Sequence, residues 1–204
     1  AELLRDEGDL EPVAFSAERA FIECDEHAGL PLVAVEELVH RFPPSQHRAL
    51  IPIGFRRMMS FRAAMCELLQ GVGYELKPWI SSRANVWSRL EVGPNSIIMP
   101  GATVLPYARL GRDVAVRPNV TVSHHCDVGN HVTLANGVVL GGESRIGANS
   151  WVGLGAVIRD GITVAPRSFV GAGAVVAADT EEDGVYIGVP ARRMSRQTAT
   201  ELTS

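Results

Sequence analysis

The chain has 204 residues, enough for one large domain or two small ones, with a formal net charge of −4 and a pI near 5.9. That acidic balance argues against a nucleic-acid surface, which needs a basic face, and no apolar run reaches membrane-spanning length. The first residue is Ala1, no signal-peptide pattern follows it, and three cysteines (Cys24, Cys66, Cys126) cannot all pair, which suits a reducing, cytoplasmic setting.

Residues 1–10 read as the last turns of a helix ending near Gly8, and residues 12–16 as a short strand. After a polar loop, the apolar run 30–35 leads into a short helix over 36–40. Pro43 and Pro44 end it, because proline removes a backbone donor. Residues 49–54 predict a short buried strand. Residues 57–70 predict a helix with Met58, Phe61, Met65, Leu68 and Leu69 among its apolar positions, stopped by Gly71 and Gly73. Another strand is expected over 74–80, with 81–83 as a junction. Alternating strands and helices predict a small, Rossmann-like α/β layer with ligands at strand C-terminal ends. A doubly wound unit opens with a strand and a Gly-rich loop, and neither is present. The expectation is that roughly fifteen to twenty-five further residues precede Ala1 in the natural protein.

From Val86 the pattern changes. Every sixth residue through Val176 is Val, Leu or Ile, sixteen positions without a slip. Two residues before each stands a residue that is usually small, such as Ala84, Ser96, Ala102, Cys126 or Ser144, with Leu90, Val114, Val120, Val132, Val138 and Ile162 as apolar exceptions. This is a hexapeptide β-helix signature. Strand alternation turns both members of each pair inward. Gly93, Gly111, Gly129 and Gly147 recur every eighteen residues, so three hexads make one coil. Glycine is expected there because a corner needs an unusual backbone angle. Asn95, Asp113, His131 and Asn149 follow two residues later, mostly residues that tolerate turns. About five triangular coils result. The domain reading is 1–82 α/β, 83–177 β-helix, and 178–204 a C-terminal cap with a polar, mobile tail from Ser195.

A solenoid is a scaffold, so chemistry must be found on its corners. Residues 123–126 (Ser-His-His-Cys) are the dense spot: His124 and His125 follow the inward Val122 by two and three positions and project from a corner. Solvated surface histidines would look the same. Imidazole titrates near neutrality, so the functional alternative is a general base. His131 belongs to the turn row, and His27, His40 and His47 carry no constellation.

With these motifs the chain resembles the bacterial sialic-acid O-acetyltransferases and nucleotide-amino-sugar N-acetyltransferases, including those that acetylate bacillosamine and perosamine precursors. The resemblance rests on residues 123–126, Val128 with Gly129, Gly141 with Gly142, Ile146 with Gly147, Val152 with Gly153, the stretch 185–192 (Val-Tyr-Ile-Gly-Val-Pro-Ala-Arg), 51–54 (Ile-Pro-Ile-Gly) and 80–83 (Ile-Ser-Ser-Arg). It implies a left-handed helix, a homotrimer, acetyl-CoA in the groove between prisms, and a sugar nucleotide held by the N-terminal domain. It also implies acetyl transfer to the amino group of a nucleotide-linked (dideoxy)amino sugar in surface-glycan or lipopolysaccharide synthesis, with sugar O-acetylation as the alternative.

By motif match His124 takes the catalytic histidine's place, and Gly142, eighteen residues on, that of the oxyanion donor. His125 stands where the family often has an acidic residue, so Glu143, one coil along from it, is expected to orient the pair. Thr133 replaces a second histidine near the CoA thioester. Leu154 and Ala172 match CoA-groove positions that act mainly through backbone. For the sugar nucleotide, Ser16 falls where the family commonly has Asp, and Gly54, Phe55 and Arg56 match a Gly loop. No metal is implied. A γ-carbonic-anhydrase-like zinc enzyme shares the prism but needs a histidine about two coils before His124, and the solenoid has none there. A non-catalytic sugar-binding protein is the third class.

Overall fold

The computed structural model describes residues 2–7, 10–52, 54 and 59–203. Phe55 and Arg56, with Gly8 and Met58, lie outside the described residues. The chain divides into two compact units, one formed by residues 1–49 and 69–75, the other by 50–68 and 76–204.

In the first unit, helix Glu2–Glu7 is followed by strand Phe15–Ala17, which pairs in parallel with Leu30–Ala34. The intervening segment contains a short strand, Glu26–His27, that forms an antiparallel hairpin with Leu30–Ala34. Ala28 (φ 47°) and Gly29 (φ 75°) make its tight turn. The sheet is therefore mixed rather than purely parallel. A 3₁₀ turn, Val35–Glu37, leads into helix Leu38–Arg41, which ends before the two prolines.

Among the described residues of 49–54 no strand forms. Pro52 has no N–H, and the peptide groups of Ile51 are satisfied by one side chain: Ile51 N donates to Asn95 Oδ1 at 2.8 Å, and Asn95 Nδ2 donates to Ile51 O at 3.2 Å. Helix Ser60–Gly71 also differs from its expected face. Met59, Arg62, Cys66 and Leu69, three or four residues apart, are buried, while Leu68 is exposed. An arginine thus lies on the stripe that the pattern assigned to apolar side chains. Of the strand expected over 74–80, Trp79–Ile80 and a bridge at Glu75 are present.

The second unit is the left-handed parallel β-helix. Seventeen two-residue strands, from Trp79–Ile80 to Val175–Val176, stack into three parallel sheets. Partners are eighteen residues apart: Ile97 with Ala115, Thr133, Trp151 and Phe169 on one face, Thr121 with Val139 on the next, and Asp127 with Arg145 on the third. The inward ladder is the core; Val104, Val122, Leu140, Ile158 and Val176 are all buried. Burying each such side chain is worth roughly 1.5–3 kcal/mol. The inward small positions close the turns. Ser96 Oγ donates to Gly111 O (2.7 Å) and accepts from Val114 N (2.9 Å), and Cys126 Sγ reaches Gly141 O at 3.1 Å in the same way.

The glycine row answers to a different demand from the one expected. The left-handed positions are Asn95, Asp113, His131, Asn149 and Arg167, with φ between 54° and 59°. Gly93 and its row instead allow coils to approach: a Cβ on Gly93 would lie 2.5 Å from Arg112 N, and one on Gly147 would meet the backbone of Ala165 and Pro166. Sheet spacing leaves no room for a methyl there.

Beyond Val176 the chain re-enters the sheet two residues early, with Val185 beside Phe169. The described residues of the tail form a strand and a short helix. Strand Arg192–Thr198 pairs antiparallel with Gly184–Ile187, and helix Ala199–Thr203 packs Ala199 against Met59 and Val185. Asp183 Oδ1 accepts hydrogen bonds from the N–H and Oγ1 of Thr200.

Candidate active site

His124 and His125 sit on the corner between strands Thr121–Val122 and Asp127–Val128. The backbone at His125 is left-handed (φ 56°), as it is at Tyr107 and Glu143 in the same row. These residues stitch the coils together: His125 N donates to Pro106 O (3.2 Å), Glu143 N to His124 O (2.9 Å) and Gly161 N to Gly142 O (2.8 Å). Both imidazoles therefore rise from a fixed platform. His124 Nδ1 lies 3.2 Å from His125 Nδ1, with the rings nearly perpendicular at 82°. For His124 Nε2 to be the basic nitrogen, Nδ1 of His124 carries the proton and Nδ1 of His125 accepts it.

Gly142 lies directly beside the His124 imidazole. A Cβ at that position would meet His124 Cε1 at 2.6 Å and Nε2 at 2.7 Å, so the absence of a side chain is what seats the ring. The Gly142 N–H donates to Asp160 Oδ1 at 2.7 Å. Glu143 contributes its backbone to the corner, but among the described residues no hydrogen bond joins its carboxylate to either imidazole. Glu143 is the left-handed turn residue of its coil (φ 60°).

A stack of rings lies against His125. Tyr107 lies against His125 with centroids 4.8 Å apart and planes 26° from parallel, and Trp87 lies 4.8 Å from Tyr107. Tyr107 remains 60% exposed, so it braces His125 without closing the site. Tyr107 and Asp160 escaped the sequence reading. Both stand in rows that the eighteen-residue spacing defines, one coil before His125 and one coil after Gly142.

The other residues singled out are elsewhere. Thr133 is 1% exposed, and its Oγ1 accepts from Arg62 Nη1 at 3.1 Å, so a ligand cannot reach it; the cofactor contact expected there is withdrawn. Leu154 and Ala172 are exposed one coil apart on the corner that follows the Trp151–Val152 face, not on the histidine corner. Ser16 is an exposed residue of Phe15–Ala17, and Gly54 is exposed.

His131 belongs to a buried cluster. Asp113 accepts from Arg62 Nε (2.8 Å) and Asn95 Nδ2 (2.7 Å) and is hydrogen-bonded to His131 Nδ1 (2.8 Å). Burial alone would raise the Asp113 pKa, but the hydrogen bonds from His131 and Arg62 hold it below the ordinary carboxylate value. Burial, reinforced by Asp113, pushes the neighbouring Cys66 thiol up to about 12, and burial also raises Cys126. Both thiols are therefore poor nucleophiles. Among the described residues no group of three His, Cys, Asp or Glu side chains is placed to hold a metal ion.

Comparison with known proteins agrees with this geometry. Residues 107–142 match the bacterial transferase hexapeptide family (six repeats). No curated protein matches the chain by sequence. Among solved structures, the acetyltransferase domain of PglB from Neisseria gonorrhoeae is 27% identical with a TM-score of 0.86, covering 95% of this chain and 92% of its own. PerB from Caulobacter crescentus, solved with CoA and GDP-perosamine, is 25% identical with a TM-score of 0.85, covering 95% and 90%. WeeI from Acinetobacter baumannii shares the fold at 22% identity and a TM-score of 0.84, covering 94% and 91%. The fold is the one that these hexapeptide-repeat acetyltransferases share. Within that class the chain is similar, over nearly its whole length, to the nucleotide-amino-sugar acetyltransferases, which bears out the resemblance first carried by the His-His corner.

Proposed function

We propose that the protein transfers an acetyl group from acetyl-CoA to the amino group of a nucleotide-linked deoxyamino sugar, in the synthesis of a surface glycan. The observation that carries this reading is the seating of His124 against Gly142 with its Nδ1 held by His125 at 3.2 Å. That arrangement leaves Nε2 as a base beside a backbone donor. The amine attacks the thioester carbonyl, C–N bond formation precedes C–S cleavage, His124 Nε2 accepts the proton from nitrogen, and that proton is returned to the departing sulfur. Such a base contributes about 10²–10⁴ in rate. PglB has been solved with acetyl-CoA and PerB with a GDP-amino sugar, which supports both substrates here.

Leu154 and Ala172 lie on a different corner from His124, so a CoA chain touching both would run between two prisms; this supports the homotrimer. Residues 1–82, with Ser16, Gly54, Phe55 and Arg56, supply sugar-nucleotide recognition. Three free cysteines, two of them buried, suit the cytoplasm. No helix among the described residues is long and apolar enough to cross a membrane.

The test is to follow thiol release from acetyl-CoA with UDP-, dTDP- and GDP-linked amino sugars. At least one should react, and His124→Ala should lower kcat at least about a hundredfold while the oligomer stays intact. Activity of His124→Ala equal to wild type overturns the base assignment. Acetylation of hydroxyl but not amino acceptors overturns the N-acetyl reading.

A further inference from the structure

The Gly142 amide that would receive the thioester oxygen already holds an oxygen. Asp160, one coil further along the row of His124 and Gly142, reaches back and accepts that N–H at 2.7 Å. A carboxylate oxygen on a backbone donor has the charge and the reach of the oxyanion itself. The location is the reacting one, because Gly142 is the residue against which His124 Cε1 and Nε2 are packed.

A second corner of the same prism provides the structural comparison. Arg112 stands two residues after the inward Leu110, as Gly142 stands two after Leu140, and its N–H is taken by Asn130 Oδ1 at 3.0 Å, again from the coil above. There the acceptor is a neutral amide, and the neighbouring imidazole of His131 is turned to Asp113. On the histidine corner the acceptor is charged, and on both corners a backbone bond also ties the coils, Gly161 N to Gly142 O at 2.8 Å and His131 N to Arg112 O at 2.9 Å. The corner does not need Asp160 to stay folded.

We propose that Asp160 is an internal competitor for the acyl donor: its carboxylate occupies the Gly142 N–H and must swing out when the thioester carbonyl binds, so it sets the affinity for acyl-CoA. The inference rests on the acetyl-CoA reading above. Asp160 thus acts on the donor through Gly142, and the empty site keeps a negative oxygen where the tetrahedral intermediate will place one.

The experiment measures acetyl-CoA binding by calorimetry, and the Gly142 amide proton by NMR on glycine-labelled protein, in the wild type, Asp160→Ala, Asp160→Asn and Asn130→Ala. In the wild type, acetyl-CoA should move the Gly142 amide resonance. Asp160→Ala should move it upfield without ligand and tighten acetyl-CoA about three- to tenfold, a modest factor because the contact is solvent-exposed. Asp160→Asn should fall between. Asn130→Ala, which removes the equivalent coil tie, should leave acetyl-CoA affinity as it is. Unchanged or weaker affinity in Asp160→Ala, while the wild type binds, overturns this inference and leaves the proposed function standing. A wild type that binds no acetyl-CoA overturns both.

Discussion

Two corners of one prism carry histidine at the same left-handed turn position, and they have opposite fates. His131 (φ 59°) is drawn into a sealed cluster with Asp113, Asn95 and Arg62, whereas His125 (φ 56°) stands in solvent, stacked on Tyr107 and bonded to His124. The backbone is equivalent at both. The difference is a cover: Arg62 and Cys66 of helix Ser60–Gly71 close the first corner, and nothing among the described residues of that unit closes the second. A covered corner must satisfy every polar group internally, so it becomes a structural ion-pair network. An uncovered corner keeps its imidazoles available to a substrate.

Five substitutions sharpen or break this contrast. The largest effect belongs to the covered corner. Arg62 and Asp113 are 2% and 1% exposed, so Arg62→Ala strands a buried carboxylate and should cost about 3–5 kcal/mol in denaturant unfolding. A loss under about 1 kcal/mol would show that the network is not a buried pair. The acid limb gives a second reading. Because the folded-state pKa of Asp113 is lowered, its contribution is complete above the ordinary carboxylate value near 4 and is lost as pH falls through the lowered folded value. Asp113→Asn should therefore flatten the loss of stability below about pH 4, and an unchanged acid limb would contradict the assignment.

The next effect tests the open corner. In Gly142→Ala the obstacle is the end of the exposed His124 side chain, which can swing away, so the melting temperature should change little while kcat drops about a hundredfold from the displaced base. Gly147→Ala is the matched contrast: its obstacle is the backbone of Ala165 and Pro166, so stability should fall instead. If both variants merely unfold the protein, the distinction between the two corners fails.

The smallest effect concerns the brace. An aromatic stack contributes about 0.5–1.5 kcal/mol, so Tyr107→Ala should lower kcat roughly two- to tenfold and leave the unfolding transition in place. Unaltered steady-state kinetics would mean that His125 is held by its backbone and by His124 alone.

Much of this was legible before any coordinates. A strand shows alternate side chains to opposite faces, so a strict six-residue ladder admits one inward set, and its eighteen-residue rows fix which residues become neighbours. His124 and Gly142 were paired on that ruler. The role given to the Gly93 row was misread, because a composition pattern does not separate a glycine needed for φ from one needed for close approach. The row places Glu143 one coil from His125, but rows fix Cα positions and leave side-chain directions open.

The sequence by itself therefore determined the coil, its pairing register and the corner that bears the chemistry, because periodic local geometry propagates without long-range information. Tertiary structure alone decided which corner is covered and which donor is occupied. Arg62 reaches Asp113 across fifty-one residues, and Asp160 reaches Gly142 across eighteen. The first depends on a helix that lies outside the hexad pattern; for the second the eighteen-residue row fixes where Asp160 stands but not where its carboxylate points.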